Sequence, residues 1–193
     1  MSVESNFNVS SRDIWSHGSG RQLRDLLASA LSTLLMMGEG KRPAYFSSPW
    51  MSDFVLLENY YREYEGLSPD LADQSEIRFS DYLPRLSRKL PVRIITTRSD
   101  TSEAFLKNLQ VRGISKIEYR YAEDEYHEKG ILAPSFYIEG SMNITYSGVY
   151  VRGEKITYHT NSDVQGANKI AGAYLEYERR WKNLAEASFM QMQ

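Results

Sequence analysis

The 193-residue sequence contains no cysteine, which excludes disulfide bonds and thiolate metal sites. Its three histidines are scattered and form no convincing zinc site, so we expect neither a metal nor a cofactor. No signal peptide opens the chain and no apolar run reaches about 18 residues, which predicts a cytoplasmic protein without a membrane partner. The formal net charge of −2 gives no overall basic character for nucleic acid. A local basic groove remains compatible with that charge, because a cleft between subunits can concentrate cations.

A chain of this length fits one domain, and we expect residues 1–193 to form it, with residues 1–12 loosely held. Apolar residues recur at helical spacing in four segments, 21–37, 77–90, 101–112 and 166–183. Strand-forming runs occupy 43–48, 91–97, 114–121 and 155–160. This alternation predicts an α/β fold in which helices cover a sheet.

The most informative stretch is HEKGILAPSFYIEGSMN, residues 127–143. It holds two short apolar runs, 130–132 and 136–138, on either side of Ala-Pro-Ser. Because proline fixes its own φ and donates no backbone hydrogen bond, Pro134 marks a turn, and the stretch is predicted to be a β-hairpin.

The hairpin gathers polar side chains at its open end. His127 and Lys129 share one face of the first strand, because side chains alternate along a strand. With the turn centred on Pro134, His127 lies opposite Ser141, with Cβ atoms about 5 Å apart, and Asn143 stands beside them. A slip of one residue in the register would separate these groups.

These side chains suit phosphate chemistry. An ammonium, a hydroxyl and an amide can donate to the non-bridging oxygens of a phosphate, and an imidazole can act as nucleophile or acid near neutral pH. The alternative is a surface His and Lys that happen to lie near a turn. The GSxN sequence at pairing distance favours the phosphodiester site.

His127-x-Lys129 followed by Gly140-Ser141-x-Asn143 resembles the HKD motif of the phospholipase D superfamily. The family pattern is HxK, four residues, Asp, six residues, then GSxN or GGxN. Here Pro134 stands where the motif has Asp, and the spacing to Gly140 is one residue short. The resemblance implies a phospholipase D-like mixed β-sheet with helices on both faces.

Two further segments are similar to this superfamily. Asn161-Ser162-Asp163 before the last helix resembles the Asn-Ser-Glu of its small single-motif nucleases, which implies that Asp163 hydrogen-bonds the catalytic His. The strand 43–48 resembles the opening strand of the fold, and Ser47, Ser48 and Trp50 at its end are candidates for substrate contact. Packing is an equally good explanation of Trp50.

The resemblance implies a metal-independent phosphodiesterase. Since the chain has one HxK, it implies a homodimer in which His127 of one subunit attacks phosphorus and His127 of the other protonates the leaving oxygen. Lys129, Ser141 and Asn143 would bind the phosphate, and Asp163 would hold the imidazole. The two imidazoles would titrate as a coupled pair.

A nuclease is favoured over a lipase because the chain is short, carries a single motif and shows no interfacial apolar surface. The sequence is also similar to phospholipase D-like proteins of bacterial DNA-modification and phage-defence clusters in three segments, Gly-Arg-Gln-Leu-Arg-Asp-Leu-Leu, Ser-Pro-Trp and Gly-Ser-Met-Asn. This similarity implies DNA as the substrate, with protein partners. The alternative is a non-catalytic dimer that binds DNA phosphate as a module of such a complex. A phospholipase is the third possibility.

Overall fold

The computed structural model describes residues 10–16, 21–37, 40–62, 64, 66, 73–111 and 117–190, without the side chains of 185–190. The strands are β1 Ser11–Trp15, β2 Ala44–Ser47, β3 Val55–Glu58, β4 Glu76–Arg78, β5 Val92–Thr96, β6 Ile117–Tyr121, β7 Gly130–Ala133, β8 Phe136–Gly140 and β9 Lys155–Thr160. The helices are α1 Arg21–Met36, α2 Phe79–Lys89, α3 Asp100–Val111 and α4 Val164–Met190, with a short π-helix at Ser147–Val151.

Seven strands form one mixed sheet in the order β1-β9-β8-β7-β2-β5-β6. Strands β2, β5 and β6 are parallel to one another, and the remaining neighbours are antiparallel. Strands β3 and β4 pair separately as a two-stranded sheet. All four residues of the central strand β2 are buried, as expected for a strand covered on both faces.

Helices cover both faces of the large sheet. The apolar stripes of α1, α2 and α3 pack with Phe46, Ile94 and Ile138 in the larger core. On the opposite face, α4 packs its own stripe on Tyr45, Ile95 and Leu132. The predicted mixed sheet with helices on both faces is therefore confirmed.

Several predicted elements are found close to their expected bounds. Helix α1 follows its leucine stripe, and β5, α3 and β9 each lie within two residues of the predicted segments. Helix α4 extends to Met190, well beyond residue 183. Helix α2 begins at Phe79, two residues after the predicted start, because residues 76–78 form β4 and pair with β3.

The expectation that residues 1–12 are loosely held is wrong for the part that the structure describes. Ser11 and Arg12 belong to β1, which forms the edge of the sheet beside β9; residues 1–9 lie outside the described residues. The strand is mostly exposed and polar, so it lacks the apolar alternation that reveals a strand in a sequence. Contacts to β9 hold it, including a 2.7 Å hydrogen bond from Thr157 Oγ1 to Asp13 Oδ1.

None of the described helices has the length and apolar character needed to cross a membrane.

Candidate active site

The polar residues of the predicted motif lie at one edge of the sheet. Strands β2 and β8 end there, at Ser47 and Gly140, while β7 and β9 begin there, at Gly130 and Lys155. We call this the site edge. The short segments that leave these strand ends carry His127 and Lys129, Ser141 and Asn143, and Ser48.

The register of the hairpin differs by one residue from the prediction. Gly130 pairs with Glu139 and Ala133 with Phe136, so the turn consists of Pro134 and Ser135 alone. Continued outward, this register places Glu128 rather than His127 opposite Ser141. The prediction assumed a three-residue turn, whereas a two-residue connection is the commonest hairpin loop.

The shift in register does not separate His127 from Lys129, because residues 126–129 precede β7 and take no part in its hydrogen-bonded ladder. Both line an open groove of about 830 Å³ between the sheet and α4, which Glu139, Lys169 and Arg180 also line. The Lys129 ammonium donates to the carbonyl oxygen of His127 at 2.8 Å. His127 itself is exposed, so its imidazole is accessible from the groove.

The charges of this groove balance. Three carboxylates, those of Glu128, Glu139 and Glu176, line it together with the cations of Lys129, Lys169 and Arg180. Lys169 pairs with Glu139 at 2.7 Å, and Arg180 pairs with Glu128. Burial opposes ionisation of Glu139, but hydrogen bonds from Lys169 and His159 outweigh it, and the pKa of this carboxyl is lowered. Lys129 contacts a carbonyl instead of a carboxylate, which makes it the best placed of the three cations to meet a phosphate.

Ser141 does not line this groove and is engaged by another acid. Its hydroxyl donates to Glu154 Oε2 at 2.5 Å and accepts from the backbone N–H of Lys155 at 3.0 Å. Glu154 is only 9% exposed, and its backbone N–H donates to Ser16 Oγ at 2.8 Å. A buried carboxylate that the sequence analysis did not single out thus lies at the site edge.

Asn143 is held by Ser48. The Ser48 hydroxyl donates to Trp50 O at 2.7 Å and lies 3.3 Å from Asn143 Oδ1, and it accepts from the backbone N–H of Ile144 at 3.1 Å. Ser48 is fully buried and fixes the chain around Asn143, so it is not free to contact substrate directly. Trp50 is 48% exposed beside it.

The structure does not bring Asp163 to His127. Asp163 Oδ1 accepts from the backbone N–H of Gly166 at 2.8 Å and so caps the start of α4. It follows Thr160, which pairs with Phe136 at the turn end of the hairpin, the end of the sheet opposite to the site edge. The predicted hydrogen bond from Asp163 to His127 is therefore absent.

Glu154 is the acid that occupies the site edge, and the sequence carries a signal for it. Strand β9 runs antiparallel to β8, so the residue before β9, not the one after it, lies beside the end of β8. Glu154 immediately precedes Lys155 at the start of β9. A prediction that took the direction of β9 into account would have chosen Glu154, not Asp163, as the acid beside the site.

Within the described residues, no three His, Asp or Glu side chains are grouped closely enough to hold a metal ion.

No family model matches the sequence, and no curated protein matches it either. Solved structures do resemble the chain. The phospholipase D family member Nuc from Salmonella typhimurium superposes with a TM-score of 0.57, 15% identity, and coverage of 90% of this chain and 94% of Nuc. The chain has the phospholipase D fold.

Two other solved structures resemble the chain to a similar degree, with TM-scores close to that of Nuc. NucT from Helicobacter pylori gives a TM-score of 0.53 at 11% identity and covers 91% of this chain and 95% of its own. Polyphosphate kinase from Porphyromonas gingivalis gives 0.54 at 10% identity, but only 26% of that longer chain is matched.

Proposed function

We propose that the protein is a metal-independent phosphodiesterase, a nuclease that cleaves DNA in a site shared by two subunits. The observation that carries this proposal is that His127 and Lys129 line one open groove at the site edge of a phospholipase D fold. An accessible imidazole can attack the phosphorus of a phosphodiester, and a neighbouring ammonium can stabilise the negative charge on its oxygens.

The reaction proceeds in two displacements. A ring nitrogen of His127 attacks phosphorus, a P–N bond forms, and the P–O bond to the leaving nucleoside breaks. His127 of the second subunit gives its proton to the leaving oxygen, then removes a proton from water, which attacks phosphorus and releases the first imidazole. Lys129 and the amide of Asn143 stabilise the charge on the non-bridging oxygens.

Glu154 replaces Asp163 as the supporting acid of the site, and it acts on the GSxN segment. Its carboxylate accepts from Ser141 and fixes the segment that leads to Asn143. Two copies of His127 are required because the two steps need one neutral and one protonated imidazole, and each chain supplies a single HxK. The active form is accordingly a homodimer.

A second function is a dimeric module that binds DNA phosphate without cleaving it, inside a complex with DNA-modification or defence proteins. Two observations favour it. Pro134 occupies the position of the motif Asp, and the Ser141 hydroxyl is already engaged by Glu154. A phosphate could then dock at Lys129 without the full set of donors that turnover requires.

The test measures hydrolysis of a chromogenic phosphodiester and of single- and double-stranded DNA in excess EDTA. Wild type is compared with His127→Ala and with Lys107→Ala, a matched control on the exposed face of α3. We expect activity in EDTA that falls by more than about a thousandfold in His127→Ala and is unchanged in the control. DNA binding by a folded wild-type dimer without any turnover would instead support the binding module.

A further inference from the structure

His127 lies on a segment that the sheet does not hold. Between β6 and β7, residues 122–129 form no ladder; their backbone is tied by Ala122 N–H to Thr96 O at 2.8 Å and by Tyr126 N–H to Glu123 O at 3.0 Å. Side chains also hold this segment: Lys129 donates to the carbonyl oxygen of His127 at 2.8 Å, and Tyr126 and Glu128, on either side of His127 in the sequence, contact α4.

Both neighbours of His127 meet the same guanidinium. Arg180 of α4 pairs with the Glu128 carboxylate and lies 5.7 Å from the centre of the Tyr126 ring. The Tyr126 hydroxyl bonds in turn to the hydroxyl of Ser47 at the end of β2. Burial raises the pKa of the Tyr126 phenol, so the hydroxyl stays protonated.

The element that carries Arg180 is firmly anchored. Tyr177 and Trp181, on either side of Arg180, are 3% and 5% exposed in the core beneath α4. One turn earlier, the Tyr174 hydroxyl donates to Pro43 O at 3.0 Å. Arg180 thus connects the segment around His127 to a firmly packed helix.

We propose that Arg180 is the positioning residue for His127: one guanidinium holds the residue before the imidazole by a cation–π contact and the residue after it by an ion pair. This inference rests on the proposed function for its catalytic consequence. The guanidinium reaches both carboxylate oxygens of Glu128 through its two terminal nitrogens while it faces the Tyr126 ring, whereas the single ammonium of a lysine cannot make the two-pronged ion pair.

The first test is kinetic and uses the full-length protein. Arg180→Gln should lower kcat by roughly ten- to a hundredfold and leave KM within about twofold, because misplacement of a reacting group slows chemistry without removing a substrate contact. Arg180→Lys should fall between Arg180→Gln and wild type. An unchanged kcat with a raised KM would show that Arg180 binds substrate instead, and would overturn the inference.

A matched control lies one residue away. Arg179 pairs with Glu176 at 2.6 Å and is 71% exposed, so Arg179→Gln makes the same chemical change and removes a more exposed ion pair on the same helix. We expect Arg179→Gln to behave as wild type. Glu128→Gln should reproduce part of the Arg180→Gln defect, and the double variant should be no worse than Arg180→Gln, because both act through one contact.

The second test does not depend on activity. Hydrogen exchange of the amides in 122–129 should become faster by roughly tenfold in Arg180→Gln and remain unchanged in Arg179→Gln, while the melting temperatures of both stay near that of wild type. Unchanged exchange in Arg180→Gln would refute the positioning role. If wild type shows no phosphodiesterase activity but exchange responds as expected, the proposed function fails and the positioning of this segment stands.

Discussion

Gly130, the first residue after the HxK triplet, is predicted to tolerate no side chain. A Cβ built on Gly130 would lie 2.7 Å from the Tyr177 hydroxyl oxygen and 2.8 Å from Ile138 O. Neither atom yields easily, because Tyr177 is 3% exposed beneath α4 and Ile138 O belongs to the β8 backbone. The φ of Gly130 is not in the left-handed region, so the penalty of Gly130→Ala is steric.

The size of this penalty follows from overpacking. One extra methyl group in a packed core destabilises by about 1–3 kcal/mol. For a chain of this length, each kcal/mol lowers the melting temperature by about 2–4 °C, so Gly130→Ala should melt about 2–12 °C lower than wild type.

Gly172 provides the matched control, since it lines the same groove from α4. A Cβ at Gly172 meets nothing within 4 Å. Gly172→Ala should therefore stabilise α4 by about 0.5–1 kcal/mol, the usual gain when alanine replaces glycine inside a helix.

The assay is urea unfolding followed by circular dichroism, with each variant also made in the Tyr177→Phe background. That background removes the hydroxyl at 2.7 Å, so the cost of Gly130→Ala should shrink there, while the gain from Gly172→Ala should not change. Equal effects of Gly130→Ala and Gly172→Ala would refute the reasoning.

Three further predictions follow from the site. Asp163→Ala should cost about 1 kcal/mol in unfolding free energy through loss of the α4 cap and leave turnover of folded protein unchanged, whereas Glu154→Gln should lower turnover. The reverse pattern in paired unfolding and kinetic measurements would restore Asp163 as the residue that holds the His127 imidazole. Because the folded-state pKa of Glu139 is lowered, its stabilising contribution is present above the ordinary carboxyl pKa and is lost as the pH falls through the folded value. Lys169→Met should therefore be less stable than wild type by under about 1 kcal/mol at neutral pH and converge with it once the pH lies below the folded-state pKa of Glu139, as measured by urea unfolding at each pH. If the site needs His127 from both subunits, dimers reassembled from equal amounts of wild type and His127→Ala should retain about one quarter of wild-type activity, and one half would indicate independent sites.

Local patterns identified much of the fold. The leucine stripe of α1 and the apolar run of β5 lie within a few residues of their predicted bounds because periodicity and turn residues act over short distances. The edge strand β1 was missed because its residues are polar and its pairing with β9 joins residues far apart in the sequence.

The site was predicted in part. His127 and Lys129 share the groove as expected, but the hairpin register differs by one residue, and the acid at the site edge is Glu154. The roles of these residues in catalysis stay predictions. Ser48, expected as a substrate contact, instead supports Asn143 from within the protein.

The local sequence supplies the chemistry that is available: the imidazole of His127 and the ammonium of Lys129 before a proline turn, and a GSxN segment after it. The groups that support these side chains are set by tertiary contacts. The direction of β9 places Glu154 at the site edge and Asp163 at the opposite end, and the packing of α4 brings Arg180 to Glu128, 52 residues away in the chain. Such contacts depend on how strands pair and where a helix docks, and neither leaves a periodic signal in the sequence.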